Sequence, residues 1–394
     1  MSYPFKTPFC SEAVIYDPMS SSRLDELLSC QWDITASTGM LRTNVEDTMR
    51  RCVPGKLGLI VQFNPNHFQG KRPVDPQLLK VHMGDTFTNR NTSGFNFTLA
   101  KKAEFLSGLR FGTIEDQRLS SVRAIDIKTK KVEHFVLVNV APLVRGHVLF
   151  LLDMDLVQPQ KMTKKYMHYA LGISREMQRE DFALGFNSAG AWSSVNHFHL
   201  HGYFFPQHED LRSVNFPVAS QTREGLFRVG GVHVKHLPNW KTTCYVIEPE
   251  DGARDGAEVA EIAWTLLEVL QSEGIPHNLL VVGMVVFVFP RQLQRENCAA
   301  FSSDRASSDS DITIASISRL RIAVAELSGL VVVGDRADYE NLTEDTFTTI
   351  LVTQVSLSAS EEAALTATWK NSLLSRYKVR FCDGNAGGWM SKSK

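Results

Sequence analysis

The sequence predicts an α+β protein made of antiparallel sheet and helices, arranged as two tandem halves. Residues 195–205 alternate between polar and apolar side chains, as in a strand with one buried face. A strand–turn–strand pattern and an amphipathic helix occupy residues 134–177, and a similar combination returns in residues 257–290. We therefore divide the chain into a first half, residues 1–210, and a second half, residues 211–394.

Composition limits the classes of function. The chain has 394 residues, is 43% hydrophobic and carries a net charge of −1, as expected of an ordinary globular protein with about two structural units. A net charge near zero provides no general attraction to nucleic acid. The sequence has no apolar run long enough for a membrane span and no signal-peptide core at its start. Its six cysteines form no Cys-x-x-Cys pair. We expect a reduced, cytoplasmic protein without nucleic-acid or membrane partners, and no oligomeric state follows from the sequence.

The first half predicts a sheet with one long helix. Residues 57–63 form an apolar strand, and residues 134–140 and 148–152 form two strands joined by a short turn, which indicates an antiparallel hairpin. Residues 161–177 place apolar side chains at three- to four-residue spacing, which predicts a helix packed on the sheet. This helix leads into the stretch that carries the chemistry.

The second half repeats this pattern in weaker form. Residues 257–270 predict a helix with one apolar face, and residues 277–282 and 285–289 predict a second strand–turn–strand unit. The second half has no His-x-His-x-His stretch, so we interpret it as a degenerate copy. Ser358 and Glu361 match a capping box and predict a last helix that ends near residue 376.

The most informative stretch is residues 195–205. Side chains two positions apart on a strand share a face and lie roughly 6–7 Å apart. The side chains that share the outer face are His197, His199 and His201. Phe198 and Leu200 then point into a core. The preceding loop, residues 186–194, is small, polar and contains a glycine, a composition that can turn N–H groups and hydroxyls towards an anion.

Three interpretations compete for these histidines. They could form a polar strand face whose side chains have hydrogen-bond partners and no catalytic role. They could be a metal site, since His-x-His is a common ligand pair, but the strand contains no carboxylate or cysteine. They could also carry nucleophilic catalysis, in which an imidazole attacks phosphorus while neighbouring donors hold the phosphate oxygens. We favour the third interpretation and expect no metal.

The residues around the histidines support that choice. His197-Phe198-His199-Leu200-His201, with Asn187, Gly190 and Ser194 upstream, resembles the motif of the histidine triad superfamily of nucleotidyl transferases and hydrolases. The wider context from Gly185 to Tyr203 is similar to that of the GDP-hexose phosphorylases. The related GDP-L-galactose phosphorylases and galactose-1-phosphate uridylyltransferases typically have Gln at the third histidine position. His201 therefore favours the branch that acts on GDP-glucose.

This resemblance implies a fold, a reaction and a site. The fold would be a histidine triad-like antiparallel sheet with helices. His199 would be the nucleophile, and His197 and His201 would hold phosphate oxygens or orient it. The residues implied to surround the α-phosphate are Asn187, Ser188, Gly190, Ser193 and Ser194. Arg72 and Arg145 are candidates for phosphate contacts, although a solvated loop charge explains Arg72 equally well. The partners would be a GDP-hexose and inorganic phosphate, with no cofactor.

Several alternatives stay open. A GDP-L-galactose phosphorylase would differ only in its hexose, and a histidine triad pyrophosphatase or other hydrolase would use water in place of phosphate. From a different class, the chain could be a nucleotide-binding sensor without turnover or a structural metal-binding protein. His147, in the turn of the first hairpin, could face the ligand or have a structural role.

Overall fold

The computed structural model describes residues 23–65, 70, 94–112, 114–115, 118–119, 121–128, 132–207, 213–250, 256–294, 320–381 and 389–390. One predicted site residue, Arg72, lies outside the described residues. The α-helices in the described residues are α1 (Leu24–Ser37), α2 (Lys164–Glu176), α3 (Ala257–Ser272), α4 (Val324–Leu327), α5 (Arg336–Asn341), α6 (Glu344–Ile350) and α7 (Ala359–Arg376).

The strands belong to one large sheet, one small sheet and a short two-stranded ribbon. In chain order they are β1 (Met49–Cys52), β2 (Ile60–Phe63), β3 (Phe105–Phe111), β4 (Ile114–Glu115), β5 (Arg118–Leu119), β6 (Val122–Ile125), β7 (His134–Val138), β8 (Val148–Leu151), β9 (Phe182–Asn187), β10 (Leu200–Phe204), β11 (Glu224–Val229), β12 (Val232–His236), β13 (Tyr245–Pro249), β14 (His277–Val282), β15 (Val285–Pro290), β16 (Leu330–Val333), β17 (Val379–Phe381) and β18 (Trp389–Met390).

The large sheet has thirteen strands in the order β18-β17-β11-β12-β13-β15-β14-β9-β10-β8-β7-β3-β6. Its neighbouring strands are antiparallel throughout, which confirms the predicted α+β class. β9 pairs with β14, with Asn187 opposite Asn278, so strands from the two halves form one continuous sheet.

The sheet order is symmetric about the β9–β14 junction. Moving outwards, one side has β9, β10, β8, β7 and β3, and the other has β14, β15, β13, β12 and β11. In each half, a helix directly precedes the two strands nearest this junction. α2 precedes β9 and β10, and α3 precedes β14 and β15. The two tandem halves are thus confirmed, whereas the boundary at residue 210 stays a prediction.

The second half is degenerate at one definite place. β9 and β10 are joined by residues 188–199, which contain the polar loop and the first two histidines. β14 and β15 are joined only by Gly283 and Met284, with Gly283 at φ +56°. A two-residue turn of this kind closes a hairpin but leaves no room for a ligand-binding loop.

Each face of the large sheet is covered by different elements. α2, α3 and α7 pack on one face, where Trp369 is buried and donates its indole N–H to Thr265 Oγ1 at 2.8 Å. The other face is covered by α4, α6 and the small sheet β1-β2-β16. β16 runs parallel to β2, with Leu330 opposite Ile60. The described helices include none that is long and apolar enough to span a membrane.

Candidate active site

The histidine stretch differs from the predicted strand. β10 begins only at Leu200, so His197 and His199 lie in the loop before it. The cause is Gln160, whose side chain takes the place of a neighbouring strand. Its Oε1 accepts from the His199 N–H at 2.9 Å, and its Nε2 donates to the carbonyls of His199 and Asn187, each at 3.0 Å. Phe198 and Leu200 lie in the core as predicted, but His197 and His199 between them are buried as well, so burial does not alternate along this stretch.

His199 lines a cavity of about 100 Å³. Its Nδ1–H donates to the carbonyl oxygen of His197 at 2.8 Å, so in the neutral ring the lone pair is on Nε2. The ring is only 2% exposed and packs edge-on against Phe97, with 5.1 Å between ring centroids. The structure therefore gives this imidazole a fixed tautomer and a fixed orientation beside a cavity.

His201 also lines the cavity, and its proton position follows from His147. The Leu143 N–H donates to Nδ1 of His147 at 3.0 Å, so the proton of a neutral His147 is on Nε2. That Nε2 lies 3.0 Å from Nδ1 of His201 and 3.1 Å from Nδ2 of Asn139, and of these two nitrogens only the one of His201 can accept from it. His201 then carries its own proton on Nε2, where it can donate to a ligand. His147 thus orients His201 and lines the cavity as well.

His197 is placed differently from the other two histidines. Its side chain is fully buried, is not among the cavity-lining residues, and accepts a hydrogen bond from the Phe97 N–H on Nδ1 at 3.1 Å. Burial lowers the pKa of His197 to about 4, so the ring is neutral at ordinary pH. Its contribution to the site comes through its backbone carbonyl, which fixes His199.

Two of the predicted phosphate-binding residues reach the cavity, namely Asn187 and Ser194. Asn187 Oδ1 accepts from Asn278 Nδ2 at 2.6 Å and from the Val324 N–H at 2.9 Å. With its oxygen engaged in this way, the amide presents Nδ2 as its donor group. Asn187 thereby connects the first half to strand β14 and helix α4 of the second.

Three other predicted loop residues shape the loop without lining the cavity. Ser188 Oγ donates to Ala189 O at 3.0 Å and accepts from the His277 N–H at 2.9 Å. Ser193 Oγ donates to the carbonyl of Val195 at 3.1 Å. Gly190 has φ +73°, a left-handed conformation in which glycine carries no steric cost. These residues hold the loop in place, and a direct phosphate contact is not supported for them.

Arg145 is also absent from the cavity lining. Its guanidinium forms an ion pair with Asp33 of α1, and its side chain is 51% exposed. The predicted phosphate contact therefore has no support from the geometry of Arg145. Loop charges near a motif are often solvated, and its partner in α1 is too far away in sequence to be recognised.

The second half also contributes to the cavity lining, which the sequence did not indicate. The residues that it contributes are Arg321, Ala323, Ala325 and Glu326. Trp192, from the loop before β10, also lines the cavity, with the Arg321 guanidinium carbon 5.2 Å from its ring centroid. No sequence pattern marks residues 321–326 as functional, because the stretch reads as an ordinary apolar segment with two charges.

The chain is thus an α+β protein whose two halves share one antiparallel sheet, with an oriented imidazole beside a cavity. The solved structure of yeast Ap4A phosphorylase Apa2 in complex with Ap4A superimposes with a TM-score of 0.54 over 84% of this chain and 96% of that chain, at 14% identity. This likeness concerns the fold.

Family models give the specific assignment. Models described as "GDPGP1-like, N-terminal domain" and "GDPGP1-like, C-terminal domain" match residues 23–203 and 217–375. The chain therefore belongs to the GDPGP1-like family, which confirms the predicted resemblance to the GDP-hexose phosphorylases.

Curated relatives include two kinds of phosphorylase. GDP-D-glucose phosphorylase 1 of Danio rerio is 27% identical over 87% of this chain and 89% of its own length. GDP-L-galactose phosphorylase 1 of Arabidopsis thaliana is 26% identical over 87% of this chain and 72% of its own length. Because the two identities are nearly equal, they do not separate the two hexoses.

Proposed function

We propose that this protein is a GDP-D-glucose phosphorylase, which cleaves GDP-glucose with inorganic phosphate to give GDP and glucose 1-phosphate. The observation that carries the proposal is the orientation of His199, whose Nδ1–H is held by the His197 carbonyl while its ring lines the cavity. In this tautomer the lone pair that would attack phosphorus is the one on Nε2. Covalent catalysis of this type divides one displacement into two easier ones.

In the first step, His199 Nε2 attacks the α-phosphorus of GDP-glucose. A P–N bond forms, the bond from the α-phosphorus to the bridging oxygen breaks, and glucose 1-phosphate leaves with the bonding electrons. In the second step, an oxygen of inorganic phosphate attacks the same phosphorus. The P–N bond breaks, GDP leaves, and the electron pair returns to Nε2.

The charge that develops on the α-phosphate oxygens needs hydrogen-bond donors at fixed positions. The groups at the cavity that can supply them are the His201 Nε2–H, the Asn187 amide and the Ser194 hydroxyl. His201 is held by His147, and Asn187 by Val324 and Asn278, so these donors require little reorganisation during the reaction.

The proposal is tested by trapping the intermediate. Purified protein incubated with GDP-glucose in phosphate-free buffer should release glucose 1-phosphate and gain the mass of one guanylyl group. Adding phosphate should then release GDP and restore the original mass. His199→Gln should form no adduct and lose essentially all turnover. An adduct on His199→Gln, or full activity of that variant, would contradict the assignment.

The Arabidopsis relative favours a second candidate, a GDP-L-galactose phosphorylase. A panel of GDP-glucose, GDP-L-galactose and GDP-mannose compared by kcat/KM decides between them. The same panel without phosphate tests the hydrolase alternative, because a hydrolase would turn over at the same rate with water alone. A nucleotide-binding sensor would bind GDP but give no turnover under either condition.

A further inference from the structure

Strand β2 of the small sheet carries a buried polar side chain, that of Gln62. Its neighbours along the strand, Ile60 and Val61, are buried and apolar, and Gln62 itself is fully buried. Taking an amide out of water costs free energy unless both of its ends find hydrogen-bond partners. An apolar side chain of similar size would fill the same space without that cost. The partners of Gln62 show what the amide holds in place.

The Gln62 amide has a defined orientation. Arg50, directly opposite Gln62 in β1, donates its Nε–H to Gln62 Oε1 at 2.7 Å. Because a guanidinium can only donate, the atom of the amide that faces Arg50 is the oxygen. The amide nitrogen, Nε2, donates to the Leu143 carbonyl at 2.7 Å. The charged donor on the oxygen polarises the amide, which strengthens its bond to Leu143.

Leu143 connects the small sheet to the cavity. It lies in the turn between β7 and β8 and lines the cavity. Its carbonyl is held by Gln62, and its N–H donates to Nδ1 of His147 at 3.0 Å. These two groups belong to different peptide units, so the link across Leu143 is one of position. A displacement of the Leu143 backbone therefore changes the hydrogen bond that fixes the His147 tautomer.

The connection continues from His147 to His201. His147 Nε2 donates to Nδ1 of His201 at 3.0 Å, so the proton of a neutral His201 is on Nε2. Each hydrogen bond from Arg50 to His201 has its donor on the side of the guanidinium and its acceptor on the side of the histidines. A set of bonds with this common direction allows a single arrangement of protons on the two neutral rings.

We infer that Gln62 is a positioning residue for His201 in the proposed reaction. By holding the Leu143 carbonyl, it keeps His147 in the tautomer that donates to His201. His201 then keeps its proton on Nε2, the donor proposed for the α-phosphate oxygens. The small sheet thus sets the proton arrangement of a site built on the large sheet. This inference rests on the proposed function, because it assigns Gln62 a role in the same two-step reaction.

Gln62→Glu separates positioning from stability. The introduced carboxylate still accepts from Arg50 but has no N–H for the Leu143 carbonyl. We expect kcat of phosphorolysis to fall about tenfold or more with little change in the KM for GDP-glucose, because the His201 donor acts on charge that develops in the transition state. The matched control is Gln221→Glu, which loses bonds to two backbone carbonyls outside the cavity lining and should keep kcat within about twofold of wild type.

The histidine tautomers give a second readout, which a purely structural role of Gln62 would not change. NMR spectra of protein labelled with ¹⁵N in its histidine rings should show the Nε2–H form for wild-type His147 and His201, with the signals assigned from His147→Gln and His201→Gln. In Gln62→Glu, the Nδ1–H form should become populated at these two rings. Gln62→Met, which fills the same space without either hydrogen bond, should show the same changes in tautomer and in kcat.

The outcomes separate this inference from the proposed function. Unchanged tautomers or an unchanged kcat in folded Gln62→Glu or Gln62→Met would overturn the positioning role and leave the role of His199 intact. If the wild-type protein turns over no GDP-hexose with phosphate, the proposed function fails first and the role of Gln62 fails with it.

Discussion

Gln160 gives the sharpest test of how the nucleophile is held. Its side chain, 2% exposed, makes three hydrogen bonds, two to the backbone of His199 and one to the carbonyl of Asn187. Gln160→Met keeps a similar volume but makes none of these bonds. The His199 N–H and two carbonyls are then left buried without their partner, and the loop that carries the nucleophile stays attached to residues 158–160 only by the bonds from the Phe198 N–H to the Gln158 carbonyl and from the Gln160 N–H to Asn196 Oδ1.

The expected magnitude follows from those three bonds. A buried group left without its partner costs about 1–3 kcal/mol, so with three such groups Gln160→Met should lower the free energy of unfolding by at least about 3 kcal/mol if the loop does not rearrange. Any rearrangement recovers part of that energy by moving His199. A shift of roughly 1 Å in a reacting group reduces turnover by about a hundredfold, so activity should fall if the loop rearranges and moves His199.

The assay combines urea unfolding with phosphorolysis measured per folded molecule at saturating substrate. The control is Gln221→Met, because Gln221 Nε2 also donates to two carbonyls, those of Leu57 and Pro217, but lies outside the cavity lining. Gln221→Met should lower stability and leave kcat within about twofold of wild type, which is under 0.5 kcal/mol in the barrier. If Gln160→Met behaved in the same way, Gln160 would stabilise the fold without positioning His199.

Two further predictions concern the loop serines and the buried histidines. Ser194→Ala should lower kcat about tenfold or more, because it removes a hydrogen-bond donor at the cavity. Ser193→Ala should mainly lower the free energy of unfolding, by about 1 kcal/mol. Phosphorolysis and urea unfolding of both variants test these two expectations. Burial lowers the pKa of His197 and His277 to about 4, so the unfolded chain binds more protons than the folded protein between about pH 4 and 6.5. The free energy of unfolding should be highest at neutral pH and fall by about 2 kcal/mol per histidine between pH 7 and 5. Urea unfolding at the two pH values tests this. An equally steep fall in the free energy of unfolding of His277→Leu would contradict it.

The features predicted correctly from sequence are those with a local cause. The hairpin of β7 and β8 and the helices α2 and α3 follow from periodicity over a dozen residues, and the structure confirms them. The orientation of Phe198 and Leu200 into the core follows from alternation in the same way. His199 was identified from its motif, and it does line the cavity.

The features that were missed have causes far away in the chain. The strand predicted over all three histidines is shortened because a glutamine 39 positions earlier replaces its partner strand. The parallel pairing of β2 with β16 joins segments at opposite ends of the chain. Arg145 was chosen for its charge near the motif, but its partner, Asp33, is 112 residues away. Local patterns carry no information about such contacts.

The degenerate second half is necessary for the site even though it has no histidine triad. β14 covers the edge of β9, which would otherwise be an unpaired strand edge beside the loop that carries His199. Val324 at the start of α4 donates to Asn187, so the wall of the cavity is attached to the same residue that ends β9. Because Asn187 Oδ1 is held by Val324 and Asn278 together, the direction of its amide donor is set by the second half. The tight β14–β15 turn is consistent with this division of roles. The second half needs no ligand-binding loop of its own, because it supports the site of the first half through the pairing of β14 with β9 and through α4.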